Sequence, residues 1–351
     1  MFQSLVWPLL FSLDAEKAHH VGMAGLKAMP VAMARAWRNN ARAERPALAM
    51  TVAGLHFPNP VGLAAGLDKN AEALTGLFGL GFGFVEVGTV TPKAQPGNPA
   101  PRMFRIPEHT ALINRLGFNN EGTAEMKGRL ERLTWRPGPV GVNIGKNKDT
   151  PNERAVEDYV ICAEQVGHLG DYVVVNLSSP NTPGLRALQE PEVLATILTA
   201  VRQKVPTKPL FLKIAPDLGD EAVDAVVDVA KSTGITGLIC TNTTITRPFE
   251  HPLAKEPGGL SGRPVFERST EVLRRAFKRA AGKLPLIGVG GVFDGDDAFA
   301  KIAAGASLVQ LYTGFIYGGP GLPRRILDRL DEKVQALKLD SLANAIGRDV
   351  S

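Results

Sequence analysis

Cysteine is nearly absent: Cys162 and Cys240 are the only two in 351 residues, 78 positions apart. Two thiols cannot build a disulfide framework, a four-thiolate zinc site or an iron–sulfur cluster, and their scarcity reads as a reduced, intracellular chain. Long apolar runs are absent too. Nowhere do 18 apolar residues follow one another, which argues against a membrane-spanning helix. Positive charge is in small excess, 40 Lys and Arg against 35 Asp and Glu for a net +5. That is too little for the concentrated basic face of a nucleic-acid binder. No G-x-G-x-x-G opens a helix, so the dinucleotide fingerprint of a doubly wound sheet is missing. The apolar start, Met1 to Phe11, has no basic flank, carries Pro8 and runs straight into Asp14 and Glu16, which argues against a signal peptide.

What is present is globular. Hydrophobic residues make up 44% and charged residues 21% of a chain long enough for a large core. Two short helices are expected near 14–28 and 31–39, with Asp14 as N-cap and Pro30 at the second start. Ala18, Val21, Gly25 and Met29 share a face that Met33 and Trp37 continue. Residues 1–45 hold six Lys/Arg against three acidic residues. This segment reads either as an anchor on an anionic membrane or as a helical cap on the main domain.

From residue 60 onward, apolar β-rich runs alternate with helical stretches. The runs are Val61–Ala65, Phe84–Val87, Val140–Ile144, Tyr172–Leu177, Leu210–Ile214, Gly237–Thr241, Leu286–Val289 and Ser307–Tyr312. Helical periodicity marks Glu153–Val166, Pro191–Val205, Glu221–Ser232, Glu267–Ala281 and Asp296–Ala304. Runs continuous in Val, Ile and Leu fit a parallel sheet covered on both faces, and eight such units fit an α/β (β/α)8 TIM barrel. The expected division is an N-terminal segment 1–45, a barrel 46–337 and an uninformative tail 338–351. Two long insertions, Thr91–Pro139 and Thr241–Pro264, are expected to do functional work.

Barrel active sites lie at the C-terminal strand ends. Those positions here are rich in amides, hydroxyls and lysines, with Asp68 the lone acid. Paired-carboxylate glycoside chemistry is therefore disfavoured, and the scattered histidines disfavour a metal. Gly288-Val289-Gly290-Gly291 and Tyr312-Thr313-Gly314 follow the last two runs, where such barrels grip a phosphate through backbone N–H groups. Lys213 points into the same mouth. The Asn176–Arg186 loop, stiffened by Pro180 and Pro183, adds amides and hydroxyls. Asn114, Asn176, Asn181 and Asn242 can match a cyclic amide or imide edge, with Lys69 answering a carboxylate.

The motifs Leu63–Lys69, Glu86–Pro92, Asn114–Asn120, Asn143–Asn147, Asn176–Arg186, Thr241–Thr244, Gly258–Gly262, Ile287–Gly291 and Leu311–Phe315 occur in one order. In them the sequence resembles the dihydroorotate dehydrogenases, specifically the class 2, quinone-linked enzymes, over about residues 1–330. Departures are small: Thr313 stands where many relatives have Ser, and Asn70 follows Lys69 where an acidic residue is common.

The resemblance implies oxidation of (S)-dihydroorotate to orotate in pyrimidine (UMP) biosynthesis, with FMN as hydride acceptor and a membrane quinone as final acceptor. It places FMN against Ala65, Gly66, Leu67, Asp68, Lys69, Thr89, Asn143, Asn176, Lys213, Thr241, Gly262, Gly291, Tyr312 and Thr313. Substrate would be held by Lys69, Asn114, Arg115, Leu116, Gly117, Phe118, Asn176, Asn181, Asn242 and Thr243. Ser179 falls at the catalytic-base position, with Thr182 and a water near Phe118 relaying the proton. Class 1 relatives use cysteine there. The N-terminal helices would dock on the membrane from the cytoplasmic side and guide quinone past His19, Arg105 and Tyr312. No nucleic acid and no metal are implied. Two other readings stay open: a non-redox phosphate-binding barrel, which would purify colourless rather than yellow, and a membrane-attached binding protein with a degenerate site.

Overall fold

A computed structural model describes residues 7–40 and 45–350. Its centre is a closed barrel of eight parallel strands. They are β1 (Val61–Leu63), β2 (Phe84–Val90), β3 (Val140–Ile144), β4 (Tyr172–Asn176), β5 (Leu210–Ile214), β6 (Gly237–Cys240), β7 (Leu286–Val289) and β8 (Leu308–Leu311). Neighbours in sequence are neighbours in space, and β8 closes on β1 through Val309–Val61 and Leu311–Leu63. Each strand is buried along its whole length, as runs of branched apolar residues between barrel interior and helix layer must be.

One end of the barrel is plugged. The ring of Phe84 fills the space where a Cβ on Gly62 would sit, within 2.3 Å, and Tyr172 does the same at Gly141, within 2.2 Å. Phe211 likewise occupies the space beside Gly237, and its ring meets that of Tyr172 edge-on at 5.5 Å. Below them an antiparallel hairpin, Met50–Val52 with Leu55–Phe57, sends Phe57 against Phe84 at 5.2 Å. Glycine opposite an aromatic ring is the small-against-large packing that fills a barrel. The functional mouth is left at the other end.

The two expected insertions form one structure there. Met103–Ile106 and Ala111–Asn114 from the first pair antiparallel, and Gly259–Gly262 from the second adds to Ala111–Asn114. The resulting three-stranded sheet stands over one side of the mouth.

The expected Glu153–Val166 helix is divided into a 3-10 turn Asn152–Arg154, an α-helix Ala155–Cys162 and a π-turn Ala163–Gly167. Leu322–Ala336, not anticipated, is a helix whose Leu322, Ile326, Leu327, Leu330 and Val334 are buried. The C-terminal stretch also differs from the expected tail. Leu342 and Ala345 are fully buried, and the N–H groups of Gly347 and Asp349 donate to Ile302 and Ala303, each at 3.0 Å. Apolar residues three apart, too few to register as a periodic pattern, carry this docking. Ser351 lies outside the described residues.

Ahead of the barrel come α1 (Trp7–Ser12), α2 (Ala15–Lys27) and α3 (Val31–Asn40). The last two match the expected helices; α1 is additional. Asp14 caps α2, its Oδ1 accepting the N–H of Glu16 at 3.0 Å and of Lys17 at 3.1 Å. α3 is fastened by buried Arg38, whose guanidinium donates to the carbonyls of Phe78 and Phe82, while Ala34 packs on Gly79. α2 has no buried residue of its own and is held by a fork. Arg102 Nε and Nη2 both donate to Glu16, the shortest contact being 2.7 Å. Among the described residues no helix is long and apolar enough to cross a membrane. Residues 1–6 and 41–44, and with them much of the apolar start and Arg42 and Glu44 of the basic segment, lie outside the described residues.

Leu342→Ala is expected to destabilise the protein by about 2–5 kcal/mol, as for other fully buried leucines, measured as a lowered urea midpoint; an unchanged midpoint would contradict docking of the C-terminal segment.

Candidate active site

At the C-terminal strand ends lies a cavity enclosing about 1000 Å³ of space that opens to solvent. Its lining includes Ala65, Gly66, Lys69, Thr89, Asn114, Leu116, Gly117, Phe118, Asn176, Ser179, Asn181, Lys213, Thr241, Asn242, Thr243, Gly262, Gly291, Tyr312 and Thr313. Residues from both insertions and from seven segments around the barrel thus converge on one space, as strand-end positions in a closed barrel must.

Four of the expected site residues do not line it. Asp68 is fully buried, and its two oxygens accept the N–H groups of Glu72 and Ala73, both at 2.9 Å. It shapes the turn that presents Lys69. Burial raises its carboxyl above the usual range against the pull of those bonds. Leu67 faces a second cavity instead. Arg115 points away, pairing with Glu256 at 2.6 Å and lying 4.7 Å over the Phe104 ring. Asn143 is fully buried beneath the lining; it acts on the cavity through its neighbours.

Those neighbours form a continuous amide–hydroxyl network. Thr89 Oγ1 donates to Asn143 Oδ1 at 2.6 Å, and Asn176 Nδ2 donates to Thr89 Oγ1 at 2.9 Å and to Asn143 Oδ1 at 3.2 Å. Asn242 Nδ2 reaches Ser178 Oγ at 3.0 Å and Asn176 Oδ1 at 3.4 Å. Across the mouth Asn181 Nδ2 donates to Asn114 Oδ1 at 3.1 Å. Sequence reasoning missed two members, Glu86 and Gln310. Glu86 lies mid-strand rather than at a strand end, and Gln310 Nε2 donates to its Oε2 at 2.6 Å across 224 residues of chain.

Three buried acceptors in this ring have no partner among the described residues: Asn181 Oδ1, Thr243 Oγ1 and Gln310 Oε1. All three lie behind the lining with almost no exposed surface, so they do not themselves present an acceptor to the cavity. Two lysines complete the electrostatics. Lys213 is 4% exposed; burial pushes its ammonium down and Glu86 pulls it back up. Lys69 is held down to about 8 by burial, with Arg102 adding to the effect and Glu16 and Asp68 opposing it. Both can pair with an anion or a strong acceptor in the cavity.

At the far side Gly291 has φ +73°, and a Cβ there would meet Phe266 within 2.5 Å, so only glycine fits. Among the described residues no hydrogen bond is made by the N–H of Gly291. Thr313 Oγ1 donates to Ser261 Oγ at 2.7 Å beside it, and Ser261 is a further lining residue that the sequence reading did not name. The Gly291 N–H at the β7 end is the group here that can receive an anion, since Ser261 Oγ in turn donates to the Leu112 carbonyl at 3.1 Å.

Ser179 is 6% exposed, and its Oγ accepts only the N–H of Asn181, at 3.2 Å, among the described residues. Its hydroxyl proton is uncommitted. The loop carrying it is held by Arg186, which donates to the Ser178 carbonyl at 3.0 Å, to Asp217 at 2.8 Å and to the Thr243 carbonyl at 2.9 Å. One guanidinium thereby fixes the Ser179 loop relative to Asn242 and Thr243. Asp217, also missed by the sequence reading, follows β5 and accepts the Thr244 hydroxyl as well.

Between α1–α3 and the barrel lies the second cavity, wider and apolar, with about 2190 Å³ of non-atom space open to solvent. His19 and Arg105 line it, as expected for the tunnel, whereas Tyr312 lines the mouth. Burial, with Lys69 and His20 nearby, holds the His19 imidazole down to about 3 and so uncharged. The two cavities share walls. Gly66 lines one and Leu67 the other, and Gly314 and Phe315 are divided in the same way.

Residues 47–334 match the family model described as dihydroorotate dehydrogenase. The chain is 61% identical over 329 residues to the dihydroorotate dehydrogenase (quinone) of Myxococcus xanthus, covering 92% of this chain and 91% of that one. It is 52% identical to the protein of the same description from Anaeromyxobacter sp. strain K, covering 98% and 97%. A crystal structure of DHODH in complex with ferulenol, from Eimeria tenella, superposes with a TM-score of 0.89 at 42% identity, covering 96% of each chain.

Proposed function

The chain belongs to the dihydroorotate dehydrogenase family in its quinone-linked class, and from that premise we propose that the mouth cavity is where dihydroorotate is oxidised against FMN. The overall activity is oxidation of dihydroorotate to orotate, with a quinone as acceptor, in pyrimidine biosynthesis. The observation that carries the site assignment is the convergence of Lys69, Asn114, Asn176, Ser179, Asn181, Lys213 and Asn242 on one cavity at the strand ends.

The residues present fit FMN. The Gly291 and Thr313 corner suits its phosphate, and Lys213 suits the anionic edge of a reduced flavin. Ala65, Gly66, Thr89, Asn176, Thr241, Gly262 and Tyr312 would hold the remainder, with Asn143 acting from beneath. When bound, FMN supplies a hydride acceptor. Lys69 answers the substrate carboxylate, and Asn114, Asn176, Asn181, Asn242 and Thr243 match the polar edge of a dihydropyrimidine ring. Leu116, Gly117 and Phe118 close that side against water.

Ser179 takes the C5 proton while hydride leaves C6. An isolated serine hydroxyl is a weak base, so its own proton must depart as the substrate proton arrives. Thr182, buried in the same loop, and a water beside Phe118 provide the outward path. The second cavity suits a quinone: it is apolar, it adjoins the mouth across the Gly66–Leu67 wall, and the exposed Val21 and Trp37 line it, with Leu9 and Met33 exposed on α1 and α3. Apolar side chains beside the basic residues of α2 and α3 suit peripheral attachment to an anionic membrane, on the cytoplasmic side.

Ser179→Ala is expected to slow reduction of bound flavin by dihydroorotate at least about 100-fold, the usual contribution of a positioned base, with FMN content unchanged in the absorption spectrum. Full activity in that variant would remove Ser179 from the role. Because Lys69 sits at about 8 in the free protein, its charge is present below that pH and lost above it. The value of kcat/KM for dihydroorotate should therefore fall as pH rises through about 8; a flat profile from pH 7 to 9 would contradict the assignment of Lys69 to the carboxylate.

A further inference from the structure

Lys301, in the helix Gly295–Ala303, is a fully buried lysine outside the lining of the mouth. Its Nζ reaches the first turn of the neighbouring helix Phe266–Ala280, donating to Ser269 Oγ at 2.6 Å and to Thr270 Oγ1 at 2.8 Å. Burial holds this amine down to about 7; charged or neutral, it keeps two N–H groups, one for each hydroxyl. Hydroxyls that receive those bonds turn their own protons elsewhere. Thr270 Oγ1 donates to the Phe266 carbonyl at 2.7 Å, and the helix brings the same oxygen a backbone N–H from four residues on. A carbonyl offers two lone pairs, so that oxygen is filled, although Ser269 Oγ also lies 3.0 Å from it. The Ser269 proton is left for the Gly290 carbonyl, at 3.2 Å.

The Gly290–Gly291 peptide is trans, so its carbonyl and its N–H point in opposite directions. With the carbonyl turned outward onto Ser269, the Gly291 N–H faces the mouth, which both glycines line. Glycine at both positions, with φ +114° and +73°, leaves the peptide itself free to rotate. We infer that Ser269, seated by Lys301, is a positioning residue for the cofactor phosphate: it anchors the Gly290 carbonyl and so keeps the Gly291 N–H aimed into the mouth. The inference rests on reading that mouth as an FMN site. Ser269 is itself fully buried and does not line the mouth, so it acts through the peptide alone.

The test is release of FMN from the purified holoprotein on dilution, followed by flavin fluorescence, with the phosphorus NMR resonance of the FMN still bound read alongside. Ser269→Ala removes the anchor and leaves the lining side chains in place. It should raise the FMN Kd about 10-fold or more, the range for one hydrogen bond to a charged group, and shift the phosphorus resonance. The visible absorption of the bound flavin should stay as in the wild type, because other residues hold the ring. An FMN Kd within about twofold of wild type, or weaker binding with an unmoved phosphorus resonance, would overturn the inference. So would a shift in the ring absorption accompanying the loss, since that marks a general loosening of the mouth. If Ser269→Ala does not fold, Ser269→Cys decides: a thiol fills the place but donates weakly. The same two changes are then expected, and an FMN Kd within about twofold of wild type overturns the inference. A wild-type chain that binds no FMN would instead refute the cofactor reading itself.

Discussion

An amide side chain taken out of water must place its donors and acceptors on its neighbours, and the mouth of this barrel is built on that constraint. Asn143, Asn176, Asn242 and Gln310 are nearly or partly sealed from solvent, and each directs its NH2 group at an identified oxygen. Glu86 sets the polarity of the chain of bonds because it alone in this set can only accept. The lining that this network holds in place, Asn114, Asn176, Asn181 and Asn242 with Ser179, is polar around one space. Lys69 and Lys213 add two cations to it. A polar heterocycle with an acidic edge, and a second one carrying a phosphate, fit that lining.

The remaining architecture protects this arrangement and connects it to a second space. Aromatic rings seated on Gly62, Gly141 and Gly237 seal the opposite end of the barrel, so the mouth is the open end. The sheet made jointly by the two insertions forms one side of the mouth. Arg186 ties the Ser179 loop to the Thr243 segment. Arg102 ties α2 to the same sheet through Glu16, and so places the apolar second cavity against the back of the Gly66–Leu67 and Gly314–Phe315 segments. In the proposed function, dihydroorotate and quinone are served from opposite sides of a thin wall, one through a polar mouth and the other through an apolar one.

Much of this was legible in the sequence because burial on both faces forces strands to be continuous in Val, Ile and Leu. The eight runs coincide with β1–β8 to within a few residues at each end. Strand-end positions then named most of the cavity lining. The misses have physical reasons. Asp68 sits at a strand end yet turns inward to cap a turn, and Arg115 points outward to Glu256; sequence position gives no direction for a side chain in an irregular loop. Glu86 and Gln310 lie within strands, where a polar residue is invisible to a search of strand ends. Their pairing, across two strands that meet at either side of β1, follows from barrel closure. The 50–57 hairpin has three-residue strands, too short to show alternation, and the C-terminal segment docks through two small contacts rather than a periodic face.

In the proposed function, dihydroorotate reduces a flavin held in the mouth and quinone reoxidises that flavin from the other cavity. Anaerobic mixing of the full-length chain with dihydroorotate, followed by addition of a quinone, tests it in two steps on one sample. The flavin absorption near the visible maximum is expected to bleach on dihydroorotate alone and to return on quinone. A chain that carries no flavin, or whose flavin stays oxidised in the presence of dihydroorotate, would contradict it.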